Sequence, residues 1–232
     1  MFLPMFNPMY YLFALPALLL GMYAQYKVRS AYSKYLKVRN RHNITGYEAA
    51  QRLLRMNDLQ DVKVREIQGQ LSDHYDPRNK TLSLSQNVSR SPSLASLAIV
   101  AHEMGHAVQD HKDYMPLRLR AGLVPVVQIG SWLGPILFLA GMFLPVENLS
   151  LVGLLLFSGT LVFSLVTLPV EFDASRRAVA MLKEGQMVTR EEVEGARSVL
   201  SAAALTYVAA AAQAISTILY YVFLLGGFRR RD

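Results

Sequence analysis

Cysteine is absent from this 232-residue chain. That excludes disulfides and any zinc site built on thiolates, so a bound metal would have to be held by histidine and carboxylate. Histidine is scarce as well, with five in all. Charge is missing from four long stretches: about Met9 to Tyr26, Ala121 to Leu144, Leu149 to Val170, and about Ala202 to Phe228. Each reaches membrane-spanning length, and none has the polar face that a long helix of a soluble bundle would show. The near absence of ionisable groups within them argues against a cation pathway. The first stretch has neither a basic leader nor a small-residue cleavage pattern, so it reads as a retained anchor and not a secretory signal. No internal repeat or low-complexity tract is visible.

What charge there is sits beside the apolar stretches and sets a topology. Lys27, Arg29, Lys34, Lys37, Arg39 and Arg41 follow the first, and Arg118 and Arg120 precede the second. The positive-inside rule then puts the N-terminus outside and residues 27–120 in the cytosol. The short connection Pro145-Val146-Glu147-Asn148 falls outside, and Arg176, Arg177, Lys183 and Arg190 return inside. Arg229-Arg230-Arg231 falls on the outer side and opposes the rule. The net charge of +7 is therefore mostly a topology signal. The basic residues bracket spans and do not interleave with aromatics, so the expected partner is the lipid bilayer and not nucleic acid.

Between the first two spans lies the sizeable soluble portion. Thr45-Gly46-Tyr47-Glu48 is a capping box that opens a helix toward Met56. Val62 to Ile67 alternates as a strand does, and Leu71 to Tyr75 and Thr81 to Ser85 flank a turn at Asp76-Pro77-Arg78-Asn79-Lys80. Ser91-Pro92-Ser93 then signals another helix start. That helix carries His102-Glu103-Met104-Gly105-His106. Positions four apart on a helix share one face, so the two imidazoles can meet one metal ion. Glu103 can reach a water bound to it. Two nitrogen ligands, an open position and a nearby base suit zinc-assisted hydrolysis.

A catalytic zinc needs a third protein ligand. His42 lies in a basic juxtamembrane run and reads as a solvated residue. His111 lies near the motif helix's end, where a dipole or capping role is ordinary. His74, on a predicted strand, can approach the site, though spacing does not show that it does. Glu171 directly follows an apolar span in Pro169-Val170-Glu171-Phe172-Asp173-Ala174-Ser175-Arg176-Arg177. On position alone it can equally be a boundary charge paired with the arginines.

The segments Ala101 to Gln109 (AHEMGHAVQ), Leu71 to Pro77 (LSDHYDP), Leu117 to Pro125 (LRLRAGLVP) and Leu168 to Ala178 (LPVEFDASRRA) together resemble membrane-integral gluzincin proteases of the HtpX and CAAX-protease kind. They look closest to the family of membrane zinc metallopeptidases of the YugP type. The resemblance implies Zn2+ as cofactor, His102, His106 and Glu171 as its ligands, and Glu103 as the base. In the HtpX-like relatives an Asp commonly stands four residues after the ligand Glu and supports a ligand histidine. This chain has Ser175 there, with Asp173 as a substitute.

The expected fold is an α-helical integral membrane protein with four transmembrane helices and a small α+β zincin-like cytosolic module. Its parts are an anchor over 1–28, the module over 29–120, a transmembrane hairpin over 121–170, a cytosolic segment with the third ligand over 171–201, and a last span and tail over 202–232. The expected activity is hydrolysis of peptide bonds in membrane or membrane-proximal proteins at the cytosolic face of the cell membrane, in keeping with a housekeeping or quality-control protease. Glu103 serves as general base, with His74, Tyr75 or Arg176 stabilising the oxyanion. Thr81, Leu82, Ser83, Leu84 and Ser85 are expected to form a sheet edge that holds the extended peptide. The competing reading is a membrane scaffold or partner-binding protein with a structural or degenerate metal site. Retention of Glu103 and the lack of a four-ligand, cysteine-bearing set speak against it.

Overall fold

The structure is a computed structural model that describes residues 8–146 and 148–228. Glu147 and the Arg229–Arg231 tail, both used in the topology reading, lie outside those residues. The described chain divides into two compact units. One takes in Gln25–Arg118 and Pro169–Leu205; the other gathers the chain up to Ala24, Leu119–Leu168, and the chain from Thr206.

In the first unit the capping box forms as its residues dictate. Thr45 Oγ1 accepts from the Glu48 N–H at 3.2 Å, and the Glu48 carboxylate accepts from the Thr45 N–H at 2.8 Å. This opens helix α2 (Gly46–Met56), which buries Ala49, Ala50, Leu53 and Leu54. Strands β1 (Lys63–Ile67), β2 (His74–Asp76) and β3 (Thr81–Ser85) follow. They lie in the order β1-β3-β2, with β1 parallel to β3 and β2 antiparallel to it, so that Val64 and Tyr75 both oppose Leu82. β3 is thus the interior strand, and all five of its residues are buried. This corrects the expectation that Thr81, Leu82, Ser83, Leu84 and Ser85 form the sheet edge. A strand wedged between two others has both rows of backbone groups committed to its neighbours.

A short helix α3 (Gln86–Arg90) leads into α4 (Leu94–His111), the motif helix. Ser93 caps α4 by accepting from the Ser96 N–H at 3.1 Å, the expected start. Leu97, Val100, Ala101, Met104 and Ala107 of α4 are buried with Leu53, Leu82, Leu84 and Val88 in one core, to which Leu182 and Met187 also belong. The motif is therefore carried on a helix that the core holds firmly.

Four long helices complete the chain: α1 (Pro8–Leu36), α5 (Met115–Phe143), α6 (Leu149–Glu184) and α7 (Arg190–Phe228). Three of these, α5, α6 and α7, are long and apolar enough to cross a membrane. α1 is helical over the described part of the expected anchor, residues 1–7 of which lie outside the described residues, but Tyr10, Tyr11, Tyr23, Gln25 and Tyr26 dilute its apolar residues and it falls outside that set. α6 continues unbroken past Val170, and α7 begins well before Ala202. Composition changes along these helices without stopping them.

In the second unit Gly153 of α6 lies against the backbone of Phe138 and Gly134 on α5, where a Cβ would collide. Close approach of this kind is how apolar helices associate in lipid, where burial of apolar surface gives no net drive. Phe138 stacks on Tyr221 with ring centroids 4.0 Å apart, and Leu154, Tyr220 and Leu224 complete the cluster.

Candidate metal centre

Helical spacing puts His102 and His106 one turn apart on α4, with ring centroids 4.9 Å apart and planes nearly perpendicular. Glu171 comes from α6. It is almost wholly buried, and its Oε2 lies 3.2 Å from His102 Nε2 and 3.6 Å from His106 Nε2. Two ligands on a tetrahedral zinc with bonds of about 2.0–2.1 Å stand roughly 3.3 Å apart, so these separations fit a shared ion. Among the described residues, His102, His106 and Glu171 form the one group of three such side chains whose ligand atoms all lie within 4.8 Å of one another. Two neutral nitrogens and a carboxylate are a zinc donor set.

The two helices can come this close because residue 105 is glycine. A Cβ there would stand 2.7 Å from the Ala174 carbonyl oxygen. Both rings are steadied at their other nitrogen. Ser175 Oγ lies 3.2 Å from His102 Nδ1, and Gln109 Oε1 lies 3.0 Å from His106 Nδ1. The Gln109 amide nitrogen donates to the Val170 carbonyl at 2.8 Å and to Asp173 Oδ2 at 3.0 Å. Asp173 also accepts from Arg176 and Arg177. Burial opposes the charged form of His106, but its hydrogen bond with Glu171 and the charge of Glu103 outweigh this and raise its pKa above the ordinary imidazole value.

Glu103 lies between the two histidines in sequence and is part-buried. Its Oε2 accepts from the Tyr75 N–H of β2 at 3.0 Å. That bond fixes one carboxylate oxygen on the edge strand. Tyr75's hydroxyl donates to Asp110 Oδ2 at 2.9 Å; burial, and then this bond, push its pKa well up, so the phenol keeps its proton at neutral pH.

The candidate oxyanion donors are thus differently placed. Tyr75's hydroxyl is engaged by Asp110. His74 is exposed, and its Nδ1 lies 2.8 Å from the Ser72 carbonyl oxygen. Arg176 is 79% exposed and tied to Asp173. His42 and His111 are both exposed and stand outside the three-residue group. Sequence reasoning missed two residues. Gln109 stands three positions after His106, one helical turn, and that spacing was the available signal. Asp73 accepts from the Ser85 N–H at 2.7 Å and lies 3.1 Å from the Ser85 hydroxyl, joining the start of β2 to the end of β3. Only the fold brings Asp73 and Ser85 together.

Comparison with known proteins agrees with this chemistry. The family model described as "Putative neutral zinc metallopeptidase" matches residues 10–226. The chain is 43% identical over 208 residues to a Bacillus subtilis (strain 168) protein named "Putative membrane protease YugP", covering 90% of this chain and 92% of the relative. No solved structure gives a significant match. With the family model spanning nearly the whole chain, this protein belongs to the family described as "Putative neutral zinc metallopeptidase".

Proposed function

We propose that the protein is a membrane-integral zinc endopeptidase that hydrolyses peptide bonds of membrane or membrane-proximal proteins at the cytosolic face. The observation that carries this reading is the meeting of His102, His106 and Glu171 on one point, with Glu103 adjacent on the same helix and oriented by the Tyr75 N–H.

His102 and His106 would hold the ion through Nε2, and Glu171 through its carboxylate. When bound, zinc supplies Lewis acidity, lowering the pKa of a water toward neutrality and polarising a carbonyl. Glu103 accepts the proton of the attacking water and passes it to the leaving amine, so that one carboxylate acts in turn as base and acid. Ser175 holds the His102 ring in place. With β3 in the interior, the sheet edge next to Glu103 is β2, and an extended peptide would lie along it. Proline scanning of 74–76 should then impair cleavage more than proline scanning of β1, the opposite edge.

Four spans, with α1 as the fourth, place the sheet and the motif helix in the cytosol by the basic flank from Lys27 to Arg41. Glu171 follows the apolar part of α6 directly, which favours substrates presented near the membrane. Glu103→Gln in purified protein is the decisive variant. It should keep its zinc and lose cleavage by about 10²–10⁴-fold, the ordinary contribution of a positioned proton-transfer group. Unchanged cleavage would refute the mechanism, and an inactive wild type with tightly held zinc would favour a structural site.

A further inference from the structure

We propose that Gln109 is a positioning residue that fixes the tautomer of His106 and relays the charge of Asp173 to it. This rests on the reading of His106 as a zinc ligand. Gln109 is fully buried on α4. Its Nε2 lies 2.8 Å from the Val170 carbonyl oxygen and 3.0 Å from Asp173 Oδ2. Both of these partners are acceptors, so the NH2 end of the amide must face them. Turned over, the amide would set an oxygen against two oxygens with no proton between, at a buried site. With the amide fixed this way, Oε1 faces His106 Nδ1 at 3.0 Å. An amide oxygen only accepts, so Nδ1 carries the proton. In the neutral ring, once the proton that Nε2 shares with Glu171 has left, His106 Nε2 keeps its lone pair on the side facing Glu171. The tautomer that a metal requires is thus dictated from the far side of the ring, by groups that never touch the ion.

Ligand histidines commonly donate their second N–H to a carboxylate. Here an amide stands between ring and carboxylate. Asp173 accepts from Gln109 and polarises its amide, which makes Oε1 a stronger acceptor for His106. Arg176 and Arg177 balance the Asp173 charge. The same side chain also fastens the two ligand helices, because Val170 and Asp173 flank Glu171 on α6. His102 has a plainer support in the Ser175 hydroxyl, so the two imidazoles are held by different means.

The test is zinc affinity of the purified full chain, by competition with a chromogenic chelator, for wild type, Gln109→Met, Asp173→Asn and the double variant. Methionine fills nearly the same volume without an amide, which limits the loss of packing. Gln109→Met should bind zinc about 10–100-fold more weakly, and Asp173→Asn should show a smaller loss. In the double variant Asp173→Asn should add nothing further, because the link through which it acts is gone. A purely structural role would weaken zinc binding only in step with a loss of thermal stability in the metal-free protein, whereas a positioning role lowers affinity beyond any such loss. Affinity of Gln109→Met within twofold of wild type, or full additivity, overturns the proposal. Should Gln109→Met fail to fold, wild-type affinity in Asp173→Asn would overturn the relay on its own. Wild-type protein that takes up no zinc would instead overturn the metallopeptidase reading beneath it.

Discussion

Gly105→Ala is a small change whose sign the structure decides. In an open helix interior, alanine is better than glycine by about 0.5–1 kcal/mol, because it loses less backbone freedom on folding. At this position the added Cβ would stand 2.7 Å from the Ala174 carbonyl oxygen and 3.0 Å from its Cα. Carbon contacts are comfortable at about 3.5 Å and beyond, so α4 and α6 must part by roughly 0.5–0.8 Å. Overpacking of that kind costs about 1–3 kcal/mol, which outweighs the helix gain. The consequence for the site is larger than for the fold. His102 and His106 ride on α4 and Glu171 on α6, while zinc bonds keep to their lengths within about 0.2 Å. Zinc affinity should fall about 10–100-fold, or ~1.4–2.7 kcal/mol. Chelator competition measures the affinity, and thermal unfolding of metal-free protein measures the stability. A Gly105→Ala protein that is more stable than wild type and binds zinc equally well would refute the claim that these helices touch at residue 105.

Other outcomes follow from the same geometry. Ser175→Ala removes the partner of His102 Nδ1 and should weaken zinc binding about tenfold, at the mild end for such supports; chelator competition checks it, and unchanged affinity would remove Ser175 from the site. Because the His106 pKa is raised in the metal-free protein, protonation of that ring stabilises the fold fully below its unfolded value of about 6.5, and this contribution is lost as pH rises through the higher folded value. Metal-free protein should therefore lose thermal stability across that window, whereas zinc affinity should rise across it as the competing proton leaves; titrations with and without zinc read both slopes. Thr45→Ala breaks the capping box of α2 and should cost about 1 kcal/mol in thermal or denaturant unfolding, with zinc affinity unchanged.

Local signals were the legible part of this chain. The capping box at Thr45 and Glu48 and the Ser93 cap were readable because each depends on residues within one turn. The apolar stretches were readable because lipid demands length and composition alone. His102, Glu103 and His106 were readable from a spacing that any α-helix converts into a shared face. Strand order was not, since β1 pairs in parallel with β3 and skips β2, which intervenes only in sequence, a choice made by packing and not by alternation. Thr81–Ser85 looked like an edge from its place in sequence, although its buried serines now show an interior strand. Helix ends were hidden too. The change from apolar to charged residues at Glu171 marks a change of surroundings, but no breaker follows it, so α6 runs on to Glu184. The sequence points to Asp173 and Ser175 as supports, but their division of labour is not visible in it. Ser175 meets His102 directly, and Asp173 reaches His106 only through Gln109.

Zinc content per chain, measured by elemental analysis on purified wild type beside Glu171→Ala and His102→Ala, tests the central claim most directly. The account predicts about one zinc per wild-type chain and little or none in either variant after brief exposure to a chelator. Full zinc retention in Glu171→Ala would contradict it, because a ligand from α6 would then play no part in holding the ion.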